Sequence, residues 1–291
     1  MPTAPTTPPT RRAWHDGRVT DQGERYDRMA DGYERWWAPV LAPSAVALLD
    51  RLDSIVAAGA VDLLDVGIGT GNLAIPAVER WPTTRVTGID ASGEMVQAAH
   101  GLADARLAPH ARARLNARTA FADTLPFPDG TFDAAMSSFV LQLVPSRARA
   151  LREIRRVLRP GGTLAYVTWV KDERPFAPDR VFDTLLDEFG FDDAEGDGRS
   201  GDVPSVATAV GELRRAGFRE VQATGALLEY RFTVSGYIAF LVEFDEATLF
   251  AEMSTAERRR FLARFRERLM ALTADELTFR APIVYASGRR T

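Results

Sequence analysis

Three glycines stand at alternate positions, Gly67, Gly69 and Gly71, in the stretch LLDVGIGTGN (Leu63–Asn72), directly behind an apolar run that contains Asp65. Glycine enters the left-handed backbone region without steric penalty, so the cluster predicts a main chain that bends sharply or admits a ligand closely. A pyrophosphate fingerprint reads G-x-G-x-x-G and seats its phosphates on a helix N-terminus. Here the sixth position is Asn72, and Asp65 would place a negative charge beside the phosphates. A cationic ligand with an amino-acid tail suits the bend better, because its ammonium group is stabilised by carbonyl oxygens and a carboxylate.

The elements around this bend alternate. A strand is expected over Val61–Gly67, and a helix over Asn72–Trp81 with Pro76 bending its first turns. A second strand, Arg85–Asp90, precedes a helix over Gly93–Leu107 capped by Ser92. A third strand ends near Ala117–Asp123, and a fourth covers Phe132–Phe139. A helix begins at Ser146 and stops at Pro160-Gly161-Gly162, and a fifth strand covers Thr163–Trp169. Strands separated by helices imply right-handed βαβ units and a parallel sheet. Ahead of them, residues 1–12 are Pro/Thr-rich and expected to be disordered, and Ser44–Ala58 reads as an amphipathic helix capped by Ser44. Behind them come helices over Arg180–Gly190 and Pro204–Phe218, separated by a Gly/Asp-rich loop at Asp192–Val203. A long strand (Arg219–Val234), two amphipathic segments within about 236–271 and a last strand (Ala281–Arg289) complete the chain.

The motifs resemble those of class I S-adenosylmethionine (SAM)-dependent methyltransferases, from LDVGIGTGN through GIDAS, FADTLPFPDGTFD and SSFVLQLV to LREIRRVLRPGGTLAYVTW. The match covers roughly Leu63–Trp169 and is closest to the UbiE-like, small-molecule branch. It implies a Rossmann-like, doubly wound α/β fold: a mostly parallel seven-stranded sheet, an N-terminal helical lid within 13–60, and a SAM-binding domain over 61–291 with a helical cap before the last strand. It also implies a cofactor set. Asp65, Gly67, Gly69 and Asn72 form the bend. Asp90, with Ala91, is placed like the residue that binds both ribose hydroxyls, two acceptor oxygens suiting a vicinal diol. Met95 is placed to pack on adenine, and Asp123, with Thr124, to accept from its amino group. Ser138 falls beside the methionine part, and Tyr33 is placed like a lid tyrosine at the amino-acid end. Taken singly, Asp90 is a strand-end cap, Asp123 a turn residue and Met95 a core residue; the register of all the motifs carries the reading.

The fourth-strand segment is SSFV and not the Asn/Asp-Pro-Pro-aromatic pattern of amide and adenine-amino methylases. Two aromatic-rich segments could shape a flat or apolar acceptor site: Tyr26, Tyr33, Trp36 and Trp37 near the N-terminus, and Tyr237, Phe240 and Phe244 in the cap, with Trp169 ending the fifth strand. No catalytic residue is assigned; Glu243, between Phe240 and Phe244, is the candidate base, and an exposed helix carboxylate explains it equally well. His15, His100 and His110 read as surface residues.

Composition sets outer bounds. The 291 residues are 46% hydrophobic and 26% charged, a globular balance, and the formal net charge of −4 gives no reason to expect nucleic acid. The basic stretch Arg106–Arg118 reads as a solvated surface. Cysteine is absent, which excludes thiolate chemistry and disulfides, and no metal site is expected. Lys171 is the one lysine, which disfavours Schiff-base chemistry. No apolar stretch reaches membrane-spanning length, so a cytoplasmic monomer or homodimer acting on a small molecule is expected. Three alternatives stay open: a SAM-binding enzyme of this fold that catalyses a non-methylating reaction such as a cyclisation, a SAM sensor, and an NAD-dependent oxidoreductase.

Overall fold

The computed structural model describes residues 32–172, 174–191 and 201–291. The expected tail at 1–12, His15, Tyr26 and most of the loop at 192–203 lie outside the described residues.

The strands are β1 (Asp62–Val66), β2 (Arg85–Asp90), β3 (Leu115–Thr119), β4 (Phe132–Ser138), β5 (Leu158–Trp169), β6 (Arg219–Arg231) and β7 (Thr278–Arg289). They form one sheet in the order β3-β2-β1-β4-β5-β7-β6. Pairing is parallel from β3 to β5, and β7 runs antiparallel to β5. Leu63, Leu64 and Val66 of β1 are all fully buried. With Asp65 buried among them, this is the continuous burial of a strand covered on both faces, not the alternation of a half-exposed one. On one face, Leu64, Ala135, Leu164 and Tyr166 pack with Leu151 and Ile154 of the helix Arg147–Val157 and Leu213 of the helix Val206–Arg215. Strands β1, β2 and β3 proceed in one direction across the sheet and β4 and β5 in the other. The chain leaving the β1 and β4 loops therefore runs in opposite directions, and a cleft opens at the carboxyl ends of the strands.

The helices are α1 (Ala38–Asp50), α2 (Asp53–Ala57), α3 (Ala74–Arg80), α4 (Gly93–Arg106), α5 (Pro109–Arg112), α6 (Arg147–Val157), α7 (Ala177–Phe189), α8 (Val206–Arg215), α9 (Val234–Phe240), α10 (Ala247–Glu252) and α11 (Thr255–Met270), with π-helical turns at Tyr33–Trp37 and Leu241–Asp245. Ser92 and Ser146 cap α4 and α6 as expected, each accepting from the backbone N–H three residues on.

Two local expectations need correction. Ser44 is not a cap: α1 starts six residues earlier with Pro39 in its first turn, Ser44 is buried inside it, and the helix breaks at Arg51–Leu52. Pro76 is the third residue of α3, in its first turn, where an N–H has no partner within the helix anyway. Helix α6 ends at Val157, ahead of the Pro-Gly-Gly, since the residue before a proline is driven out of helical backbone. β5 then begins at Leu158 and absorbs Pro160-Gly161-Gly162 through a register shift against β4. β3 ends at Thr119, within the stretch expected for it: the Ala120 amide makes a last bond to Asp90 O, and a turn from Phe121 to Thr124 carries the chain away.

The described residues fall into two compact units. The larger takes in residues of 19–172, 200–228 and 281–291, and the smaller residues of 173–199 and 229–280. The smaller unit has its own aromatic core. Phe182 of α7 meets Phe250, Phe261 and Phe265 at ring separations of 6.1, 5.5 and 5.5 Å. The insertion expected at 236–271 is thus joined by α7. Among the described residues no helix is long and apolar enough to cross a membrane.

Asp133 ties the amino end of the sheet together. Its Oδ2 accepts from the Val61 and Asp62 amides, both at 2.9 Å, while Arg159 donates to its Oδ1 and, at 3.1 Å, to Asp62. Burial opposes the charge of Asp133, but these amides and the guanidinium outweigh it and hold the carboxyl below its usual range. Asp133→Ala leaves two amides without their acceptor. It is expected to cost about 2–4 kcal/mol in urea unfolding at neutral pH, and the difference should shrink as pH falls below about 4.

Candidate functional site

The site is built from the ends of β1, β2 and β4 within the larger unit. Where β1 ends, the amides of Gly67 and Ile68 both donate to Ile89 O at 2.8 Å, so the chain stays bound to β2 as it turns. Gly67 has φ +76°, and a β-carbon there would lie 2.2 Å from Val140 Cγ2 in the loop after β4. No side chain can occupy that position. Gly69, at φ +52°, faces open space instead. Its amide donates to Asp90 Oδ2 at 2.9 Å, and the Ser92 amide donates to Asp90 Oδ1 at 3.0 Å. Asp90 is thus fixed by two backbone donors, each of its oxygens keeping further acceptor capacity.

A cleft whose empty space, open solvent at its mouth included, is about 1060 Å³ lies over this framework. Tyr33, Asp65, Gly67, Gly69, Asn72, Asp90, Ala91, Met95, Asp123 and Ser138 all line it. Thr124 sits just behind, its amide bonded to Phe121 O and its hydroxyl accepting from Arg149 at 3.4 Å. The cleft also takes in Thr70, Phe121, Phe139, Val140 and Leu143, which sequence reasoning did not single out. Thr70 lay within the quoted glycine stretch; for the others, no local signal separates a cleft-lining apolar residue from a core one.

Asp65 is the electrostatic oddity of the cleft. It is 1% exposed, and among the described residues neither carboxylate oxygen has a hydrogen-bond partner. Burial, and then the nearby charge of Asp90, push its pKa up to about 8; the Ala74 amide offsets part of the rise without completing a bond. A cation in the cleft would reverse that balance and draw the proton off.

Aromatic residues flank the carboxyl ends of β4 and β5. Phe139, directly after Ser138, has φ +54°, a strained backbone for a bulky residue. Its ring lies 4.3 Å from that of Trp169, and Trp169 lies 6.3 Å from Trp37 on the N-terminal π-helical turn. Trp36, beside it, carries the Arg35 guanidinium over its ring at 4.8 Å. In the smaller unit, Tyr237 and Phe240 are buried in the aromatic core with their rings 6.1 Å apart. The Tyr237 hydroxyl donates to Asp179, Phe244 is half-buried against Phe240, and Glu243 is exposed. His100 bonds Ala117 O and the Arg112 guanidinium through its two ring nitrogens.

The family model described as "Methyltransferase domain" matches residues 64–166. The chain is 37% identical over 176 residues to "Ubiquinone/menaquinone biosynthesis C-methyltransferase UbiE" of Methylobacterium nodulans, covering 57% of this chain and 65% of that protein. It is 40% identical over 104 residues to "Demethylmenaquinone methyltransferase" of Thermus thermophilus, covering 35% of this chain and 44% of that one. The chain thus spans less than two thirds of the length of these relatives. Among solved structures, the YcgJ protein of Bacillus subtilis aligns with a TM-score of 0.54 at 20% identity, covering 81% of this chain and 96% of that one. The [4+2]-cyclase SpnF aligns with a TM-score of 0.50 at 26% identity, covering 83% and 82%.

The buried carboxylate carries a pH signature. The folded protein holds the Asp65 proton up to about pH 8, whereas the unfolded chain releases it near 3.8. Its contribution to stability is therefore complete below about pH 4 and falls as pH rises toward 8. Asp65→Asn should match the wild type in denaturant unfolding at pH 4 and exceed it at pH 8, by up to about 5 kcal/mol.

Proposed function

Taking residues 64–166 as a class I SAM-dependent methyltransferase domain of the UbiE-like type, we propose that the cleft binds SAM and that the protein transfers its methyl group to a small, flat, apolar acceptor. The observation that carries the cofactor assignment is Asp65, a buried carboxylate with no hydrogen-bond partner among the described residues, on a cleft floored by bare backbone. A ligand bearing both an ammonium and a sulfonium charge offsets such a group, and a pyrophosphate would aggravate it.

The residues divide the work. Asp65 and the carbonyls of the glycine bend take the amino-acid end, with Tyr33, Asn72 and Ser138 beside it. Asp90, already oriented by two amides, offers its remaining lone pairs to the ribose diol. Met95 and Ala91 cover the adenine face, and Asp123 accepts from the adenine amino group. Bound there, SAM supplies a methyl carbon already activated by its sulfonium. What remains for the chain is alignment and exclusion of water, effects worth up to about 7–11 kcal/mol in favourable cases. A general base is needed only where the acceptor is still protonated when it attacks. The aromatic group of Phe139, Trp169 and Trp37 supports a planar acceptor, since such rings stack on flat apolar molecules. The quinone-pathway names of the relatives point to the same chemical class.

A second reading is supported by the likeness to a [4+2]-cyclase at 26% identity: the same cofactor held without methyl transfer while another reaction proceeds. Incubation with methyl-labelled SAM and a panel of hydroquinones, phenols and aliphatic amines separates the readings. Label in an aromatic product supports methyl transfer to a flat acceptor, label only in amines overturns the acceptor class, and unlabelled product favours the second reading. Asp90→Ala is expected to weaken SAM binding by calorimetry about 10- to 100-fold, or roughly 1–3 kcal/mol. Unchanged affinity would overturn the assigned pose.

A further inference from the structure

We propose that Glu34 is a positioning residue, a latch whose carboxylate ties the segment bearing Tyr33 to the glycine bend and so sets how long the cofactor stays in the cleft. This inference rests on the reading of the cleft as a SAM site.

Glu34 is the second residue of the π-helical turn Tyr33–Trp37, closed by the Ala38 amide donating to Tyr33 O. Such widened turns are uncommon, and many occur at functional sites because they re-aim side chains that a regular helix would send elsewhere. Here the turn brings Glu34 against the glycine bend. Its Oε2 accepts from the Thr70 hydroxyl at 2.6 Å, and its Oε1 accepts from Arg106 at 2.8 Å. A further tie runs the other way, from the Asn72 side-chain amide to Ala38 O at 3.3 Å.

These contacts differ in weight. The Arg106 pair is exposed on the guanidinium side and screened by water. Thr70 is only 2% exposed, so its hydroxyl depends on a protein acceptor, and a short bond to a carboxylate is among the stronger neutral-to-charged kinds. Removing the carboxylate strands that hydroxyl in a dry place. Thr70 stands between Gly69, whose amide holds Asp90, and Gly71. The latch therefore joins Tyr33 at the wall of the cleft to the backbone that orients Asp90. Glu34 does not line the cleft and acts through Thr70 and Tyr33.

The test compares wild type, Glu34→Ala, Glu34→Gln, Thr70→Val and the double variant Glu34→Ala/Thr70→Val. Dissociation of S-adenosylhomocysteine is followed by stopped-flow fluorescence, with thermal unfolding as a control on the fold. Glu34→Ala and Thr70→Val should each speed dissociation about 5- to 20-fold. The double variant should be no faster than the faster single one, because both changes remove the same bond. Glu34→Gln, whose amide oxygen can still accept from Thr70, should stay within about 3-fold of wild type. Rescue by glutamine is what a merely structural loss would not produce. Wild-type release from Glu34→Ala, fully additive effects in the double variant, or a Glu34→Gln as fast as Glu34→Ala overturns the latch while leaving the cofactor site intact. A wild-type protein that does not bind S-adenosylhomocysteine overturns the cofactor reading and the latch with it. Should Glu34→Ala fail to fold, Thr70→Val and Glu34→Gln still decide, since the proposal requires fast release from the first and slow release from the second.

Discussion

The approach of the loop after β1 to the loop after β4 governs the geometry of everything around the cleft. Parallel pairing of β1 with both β2 and β4 places the two loops side by side, and the reversal of strand order sends the chain leaving them in opposite directions. They can come this close only because residue 67 has no side chain to meet Val140. With Gly67 pressed there, and held to Ile89 by its amide, the next turn must present Gly69 and its backbone to the cleft. The position of Asp90 follows, since one of its two anchoring amides belongs to Gly69.

That arrangement leaves two carboxylates in very different states. Asp90 is fixed by backbone donors, while Asp65, within the same apolar core as its strand neighbours, has none. A buried, unpaired carboxylate is stabilised by taking up a proton or by gaining a cation. The rest of the sheet must offset the cost when neither is present. It can do so because β1 lies between β2 and β4, covered on both faces by apolar side chains, with its amino end held by the Asp133–Arg159 pair. Stability is supplied at one end of the strand and a destabilised group is held at the other, where a ligand would gain from it.

The aromatic group proposed to face the acceptor follows a similar logic at smaller scale. Phe139 adopts a left-handed backbone that costs roughly 1 kcal/mol or more for a bulky residue, and the strain is held by β4 on one side and by ring contact with Trp169 on the other. Trp37 reaches this group from the N-terminal π-helical turn. The aromatic residues of the smaller unit have a different setting: Tyr237 and Phe240 are packed among other rings, with the Tyr237 hydroxyl satisfied by Asp179. Both aromatic segments looked alike in the sequence because spacing records which residues share a face and not what covers that face.

Local chemistry carried much of the fold. Glycines at alternate positions after an apolar run, serine caps before helices and turn residues between strands all act over a few residues, so the strand and helix succession was legible from Leu63 to Trp169 without coordinates, while Asp90 and Asp123 were named through the resemblance of their motifs. What failed to show was non-local. Ser44 looked like a cap until a helix begun at Ala38 buried it, and Pro-Gly-Gly looked like a break until β5 absorbed it against β4. The left-handed Phe139, the π-helical turn at Tyr33–Trp37 and the bond from Thr70 to Glu34 have no signature in spacing. Each exists because segments far apart in the chain come together and impose a backbone geometry that neither segment prefers alone. The sequence by itself therefore determined the order of the elements around the cleft and, through the resemblance of its motifs, which residues are proposed to meet a charged nucleoside. The tertiary structure alone decided that Asp65 would be left without a hydrogen-bond partner among the described residues, because only packing from both faces of the sheet removes the water that would otherwise solvate it.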